Sequence, residues 1–377
     1  MPSARPPLGG LSARVFLRDT WQRRPLLVRQ AVPGFRGVLD HRALFRLAGR
    51  DDVESRLIER GRRWRVTQGP LDPRTLAQRA PRNWTLLVNG LNLVVPQADR
   101  LLRRFDFVPY SRLDDVMVSY ATDGGGVGPH VDSYDVFLLQ GPGRRRWRIA
   151  PPRDWRLAEG QPLRLIEGFR HQTEMLLEPG DMLYLPPGWG HDGVAIGECW
   201  TYSIGFRAPR GAELATGFLD YLHERGLPDA AYRDPGRQPA AHPGRLDAHM
   251  IEFAAQVLAR IRWNRADVSA FLGRHLSEPK AQVVFRPPRR PLPPAAFLRR
   301  ILRSGLALDA RSMLLVHGGN AYMNGEAHAL ARAARPVLLA LADARSLSGE
   351  RLARGAPLEL LHEWYRQGWL HPAETPT

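Results

Sequence analysis

Cysteine is nearly absent: Cys199 is the only one in 377 residues. A single thiol cannot form an intrachain disulfide, a four-cysteine zinc site or an iron–sulfur centre, and a reducing compartment is the expected setting. Lysine is equally scarce. Lys and Arg together number 54, and Lys280 is the sole lysine among them. No uncharged apolar run is long enough to span a bilayer, and residues 1–10 lack the apolar core of a secretion signal. The expected location is therefore cytoplasmic, with no membrane partner.

The chain is long enough for two or three domains, and its 44% hydrophobic content supports sizeable cores. The formal net charge is +16. Arginine in place of lysine, with abundant Ala, Gly and Pro, reads as genome composition bias, and many of these arginines belong on solvated faces. The surplus still favours anionic assemblies, RNA-rich ones included.

Helical spacing marks residues 41–49 and 75–80. From Trp84 the hydrophobic period shifts toward two, and strands are expected at 84–88, 115–121, 134–140, 144–150, 174–177, 182–185 and 199–206. Gly and Pro turns separate them, as in Gly141-Pro142-Gly143 and Pro186-Pro187-Gly188. Many short strands with regular turns predict an antiparallel sandwich or barrel. After Pro209 the period becomes helical, over 212–225, 246–264 and 266–276. The apolar face of Met250, Ile251, Phe253, Val257, Leu258 and Ile261 predicts helix pairing between two copies of the chain. A proline-rich run at 286–294 marks a boundary. Beyond it, short helices (295–305, 327–333, 336–343, 358–367) and a small hairpin around Gly318-Gly319-Asn320 predict a winged-helix-like unit. The expected domains are 1–209, 210–285 and 286–377. No basic recognition helix stands out in the last, so nucleic-acid contact stays open without being favoured.

The chemistry concentrates in Gly128-Pro129-His130-Val131-Asp132, just after Gly124-Gly125-Gly126. Residues two apart on a strand share a face, so His130 and Asp132 can converge on one metal ion. His191, following Pro186-Pro187-Gly188-Trp189-Gly190, supplies a third donor. Two histidines and one carboxylate form the facial triad of non-heme Fe(II) oxygenases, which leaves positions open for substrate and O2. Arg145, on the strand returning after Gly141-Pro142-Gly143, is a cation able to grip the distal carboxylate of 2-oxoglutarate. Arg144 and Arg146 point to the opposite face of that strand. The other histidines show no ligand spacing.

These runs resemble the JmjC-type 2-oxoglutarate oxygenases, and more closely the bacterial ribosomal oxygenases. Tyr134-Asp135-Val136-Phe137-Leu138-Leu139-Gln140, Gly180-Asp181-Met182-Leu183-Tyr184-Leu185, Tyr202-Ser203-Ile204-Gly205-Phe206 and Leu276-Ser277-Glu278-Pro279-Lys280 carry the same likeness. The resemblance implies a double-stranded β-helix (cupin-like jelly roll) catalytic domain, a helical dimerisation segment and a C-terminal winged-helix-like domain. It implies Fe(II) held by His130, Asp132 and His191, with 2-oxoglutarate and O2 as cosubstrates and Arg145 on the distal carboxylate. Relatives often place a hydroxyl where Ala121 stands here, so Ser119, Tyr120 and Thr122 are alternatives for the second carboxylate contact.

The resemblance further implies hydroxylation of an arginine in the sixteenth large-subunit ribosomal protein. Asp115 would then receive the guanidinium, beside Met117 on the same strand face, with Tyr134 laid against the side chain and Ser203 adding a hydrogen bond. Two other classes stay open. A histidine or asparagine hydroxylase of the same fold would need a neutral pocket, and a non-catalytic cupin-like binding protein would keep the barrel without turnover.

Overall fold

The structure is a computed structural model that describes residues 6–373. The outermost residues of the expected first and third domains, 1–5 and 374–377, lie outside it. Two antiparallel sheets carry the site. The larger has eight strands in the order β1-β10-β7-β12-β5-β4-β2-β3. Here β1 is Leu26–Val28, β2 Ser55–Glu59, β3 Arg65–Gln68, β4 Trp84–Val88, β5 Leu113–Ala121, β7 Val136–Gln140, β10 Met182–Leu185 and β12 Cys199–Phe206. The smaller has four strands in the order β6-β11-β8-β9, with β6 His130–Val131, β8 Arg144–Ala150, β9 Thr173–Leu177 and β11 Gly190–Ile196.

Period-two side-chain alternation decides what each face meets. On the outer face of the larger sheet, Val116, Val118, Phe137, Tyr202 and Phe206 join a core with Phe16, Leu44 and Leu101 from the N-terminal helices and Phe105 from the turn after the last of them. On the inner face Val136, Leu138, Leu183 and Leu185 pack with Trp147, Ile149 and Leu177 of the smaller sheet. Met117, Ser119 and Ser203 share that inner face and line a cavity between the sheets. The central strand β12 is buried along its whole length, as a strand flanked on both edges and covered on both faces must be.

Some strands of these two sheets escape a periodicity reading. Strands β2 and β3 are short, and neither alternates cleanly between apolar and polar residues. Strand β11 carries Gly190 and Gly193, which read as turn residues. It forms because β6 and β8 offer ladder partners on both of its edges. Gly193 is required there sterically: a Cβ would come within 2.7 Å of the Trp147 ring.

After the sheets come helices Gly211–Glu224, Ala248–Leu258 and Arg265–Ser277. The C-terminal part holds helices Pro294–Ser304, Ala334–Ala344 and Leu358–Arg366 around a core of Phe297, Ile301, Leu338, Leu341 and Trp364. A three-stranded sheet, Leu314–His317, Asn320–Met323 and Glu326–Ala329, forms the wing. This corrects the expected helix over 327–333. Asn324 and Gly325 both adopt positive φ, 53° and 90°, the conformation that turns a tight hairpin, and Glu326–Ala329 pairs back as a strand. The helix begins instead at Ala334, so Pro336 is its third residue, where the missing amide still leaves no helical bond unmade.

Candidate active site

His130 and His191 face each other directly across the β6–β11 ladder. Their ring centroids are 4.1 Å apart. Asp132 follows β6 by one residue, and its Oδ2 lies 3.6 Å from His191 Nε2. One donor atom from each of the three falls within 4.8 Å of the other two, a spacing that one metal ion can bridge. Each imidazole is oriented from behind. His130 Nδ1 sits 2.9 Å from the Gly128 carbonyl and His191 Nδ1 3.0 Å from that of Trp189. A carbonyl only accepts, so Nδ1 carries the proton in each ring and the Nε2 lone pair is left for a metal ion that the three residues would hold. Burial, and then the neighbouring His130, push His191 down to about 4, against the pull of Asp132. His191 is therefore neutral at physiological pH, as a ligand must be.

Arg145 lies on β8 opposite Ala195 of β11, four residues along from His191 or about 13 Å at the strand rise. It is 4% exposed. Its Nη1 and Nη2 donate to Ser119 Oγ at 3.1 and 3.2 Å, and its Nε to Cys199 Sγ at 3.4 Å. Among the described residues, no carboxylate comes within 4.0 Å of it. A buried guanidinium without an anionic partner is a receptor for one. Of the three hydroxyls open as a second contact, Ser119 is the one beside Arg145. Tyr120 Oη instead donates to Glu198 at 2.9 Å, and Thr122 Oγ1 bonds the Trp84 backbone.

Asp115, Met117, Tyr134 and Ser203 line the same cavity as the triad and Arg145. Its volume is about 180 Å³. Met117 and Ser203 are cross-strand partners on β5 and β12. Asp115 Oδ2 accepts from the Gly90 amide at 2.9 Å, and burial pushes its carboxyl up while Lys280 opposes this. Tyr134, 39% exposed, is pushed up by burial and then by the carboxylates of Asp132, Asp115 and Asp114, so its phenol stays protonated. A Cβ built on Gly205 would stand 3.8 Å from Asp115 Oδ1 and 3.9 Å from the Tyr134 ring. The bare glycine is thus what leaves room between carboxylate and ring.

A family model of the JmjC domain matches residues 100–214, and one of the ROXA-like winged helix matches residues 260–371. The Escherichia coli ribosomal protein uL16 3-hydroxylase is 32% identical over 338 residues, covering 89% of this chain and 90% of that protein. The chain belongs to the JmjC ribosomal oxygenase family. A probable ribosomal oxygenase of Haemophilus influenzae is 38% identical over 213 residues, 55% of this chain and 52% of that one. The crystal structure of E. coli YcfD superposes with a TM-score of 0.84 at 32% identity, covering 96% of this chain and 98% of that one. A further YcfD structure, at TM-score 0.81 with the same identity and coverage, is of its complex with cobalt and 2-oxoglutarate. The His-Asp-His donor set and the buried arginine fit Fe(II) and 2-oxoglutarate, the metal and cosubstrate of JmjC oxygenases.

Other residues of this ribosomal oxygenase reach the cavity without having been assigned to it from the sequence. Arg56 of β2 and Asn89 line it, and the Arg56 Nε is buried without a hydrogen-bond partner among the described residues. A short charged strand gave no pattern to place Arg56. Lys280 lines it too, from the segment after helix Arg265–Ser277. Its rarity was visible in the composition, but its position was not.

Proposed function

We propose that this ribosomal oxygenase is an Fe(II)- and 2-oxoglutarate-dependent protein hydroxylase acting on an arginine of the sixteenth large-subunit ribosomal protein, uL16. Its E. coli relative is named for 3-hydroxylation of that protein, which supports a ribosomal-protein substrate. His130, Asp132 and His191 would hold the metal, and Arg145 with Ser119 the distal carboxylate of the cosubstrate. When bound, Fe(II) and 2-oxoglutarate supply the oxidising power, O2 and 2-oxoglutarate giving succinate, CO2 and one oxygen atom inserted into a C–H bond. The protein's residues supply geometry, charge and exclusion of water. Asp115 receives the target guanidinium, Tyr134 and Met117 flank its aliphatic part, and Ser203 adds a hydrogen bond. The observation that carries this reading is the buried Arg145, without a carboxylate partner, in the same cavity as three convergent metal donors.

The reading takes 1–209 as the catalytic domain, 210–285 as a dimerisation segment and 286–377 as a winged-helix-like domain. A homodimer is supported by apolar side chains left exposed on the helices, among them Leu219 at 65%, Ile251 at 52% and Leu258 at 64%. A cytoplasmic location fits a ribosomal substrate, and no helix among the described residues is long and apolar enough to cross a membrane. The C-terminal domain serves docking rather than nucleic-acid recognition. The test is incubation of the purified protein with Fe(II), 2-oxoglutarate and peptides of uL16, read by mass spectrometry. The reading expects a one-oxygen gain on arginine. A gain on histidine or asparagine would overturn the substrate, and absence of turnover on any ribosomal peptide would overturn the enzyme.

A further inference from the structure

The one lysine of the chain stands in the active-site cavity. In a sequence that uses arginine at every other basic position, an ammonium here asks for a chemical reason. Lys280 Nζ lies 3.0 Å from Asp114 Oδ1 and 3.4 Å from Asp115 Oδ2. It is 31% exposed, against 14% for Asp115. The contact uses the Asp115 oxygen that also takes the Gly90 amide. Asp115 Oδ1 makes no hydrogen bond among the described residues and faces the gap left by Gly205, beside the Tyr134 ring.

We infer that Lys280 is the resident counter-ion of the target-side-chain pocket: it keeps Asp115 ionised and aimed while leaving one carboxylate oxygen free for the substrate's cation. The inference rests on the reading that Asp115 receives a guanidinium. A compact ammonium is a point charge with rotatable donors, and it can shift onto Asp114 when a substrate arrives. An arginine at the same place would fork onto both Asp115 oxygens and occupy the geometry the substrate needs. Lys280 is thus a positioning residue, acting through Asp115.

The charged and titratable groups around Asp115 bear this out. Lys280 approaches from the segment after helix Arg265–Ser277, Asp114 from its own strand and Tyr134 from the loop before β7. Arg56 of β2 lines the same cavity, and Arg207 of the segment after β12 pairs with Asp114 at 3.5 Å. Burial raises the Asp115 carboxyl, and Lys280 is the largest influence opposing it. With the ammonium removed, Asp115 takes up a proton as pH falls through its raised value, and the site loses its anion.

The experiment uses the full chain with Fe(II), 2-oxoglutarate and an arginine-containing uL16 peptide, and measures peptide KM at pH 6 and pH 8. Lys280→Met is expected to raise the KM ratio between pH 6 and pH 8 about tenfold over wild type, because burial favours the neutral carboxyl once the opposing ammonium is gone. Lys280→Arg keeps the charge, so its ratio stays at the wild-type value while KM rises at both pH values. The ratio is internal to each variant, so a smaller folded fraction lowers kcat without moving it. A Lys280→Met ratio equal to wild type, alongside a raised KM in Asp115→Asn, would overturn the counter-ion role and leave the Asp115 reading standing. An unchanged KM in Asp115→Asn would overturn both.

Discussion

Each metal-facing histidine is held by a backbone carbonyl two residues before it in sequence, Gly128 for His130 and Trp189 for His191. This fixes tautomer and ring orientation without a second side chain, so removing one imidazole removes one donor and leaves the other in place. His130→Ala is expected to abolish hydroxylation and to weaken Co(II) binding, followed by its visible absorption. Arg145→Ala should leave Co(II) binding intact and raise the 2-oxoglutarate KM about 10- to 100-fold, the worth of a charge-assisted pair. Arg145→Lys should recover little, because an ammonium cannot reproduce the fork. Gly205→Ala adds a methyl in ordinary contact with Asp115 and Tyr134, so the fold tolerates it. Peptide KM should rise about tenfold with 2-oxoglutarate KM unchanged. At this scale the sequence was most legible where chemistry and spacing coincide. The pair His130 and Asp132, two apart beside a glycine turn, declared itself; Arg145 was marked by the need for a cation beside a 2-oxo acid and by the family resemblance, with alternation only setting Arg144 and Arg146 on the other face. Arg56 reaches the cavity through chain folding alone, and Lys280, although it ends the family-like run Leu276–Lys280, carries no local sign that it meets Asp115.

The elements that hold the site were legible in proportion to their apolar content. Strands β5, β7, β8, β10 and β12 alternate or run apolar, and each appears close to its expected range. Strand β11 was hidden by its glycines although it bears His191, because its strand character comes from the ladders on either side. The turn before β10 shows how such an element is pinned. Asp181, nearly buried, accepts from the amides of Gln30 and Glu178 and from Arg29 Nη1 at 2.6 Å. Burial would raise its carboxyl, but these three donors more than offset that and hold it below the usual carboxylate range. A depressed carboxyl stabilises the fold fully above its unfolded value near 3.9 and loses that contribution as pH falls through the lower folded value. Asp181→Asn should therefore cost about 1.5–3 kcal/mol at pH 7. The difference from wild type, measured by denaturant unfolding, should shrink progressively below about pH 4.

Across the whole molecule, the same chain makes a closed catalytic core and leaves an open apolar surface on its helical segment. Ile251 and Leu258 stand on one helix, seven residues apart, both more than half exposed. Two such faces pressed together would bury what one copy cannot. Light scattering is expected to give twice the chain mass of 42.5 kDa, and Leu258→Glu to shift the protein toward the monomer. The proposed domain boundaries rest on changes of hydrophobic period at Pro209 and at the proline run 286–294. The hairpin around Gly318-Gly319-Asn320 was legible, but the third strand Glu326–Ala329 was not: its alanines read as helical and masked the Asn324-Gly325 turn signal. The proposed function comes down to one reaction at one side chain. Its most direct test is mass spectrometry of a uL16 peptide incubated with the purified protein, Fe(II) and 2-oxoglutarate. A one-oxygen gain on arginine, lost on omission of 2-oxoglutarate and in the His130→Ala protein, is the predicted result. Modification that persists in His130→Ala, or that falls on a residue other than arginine, would contradict it.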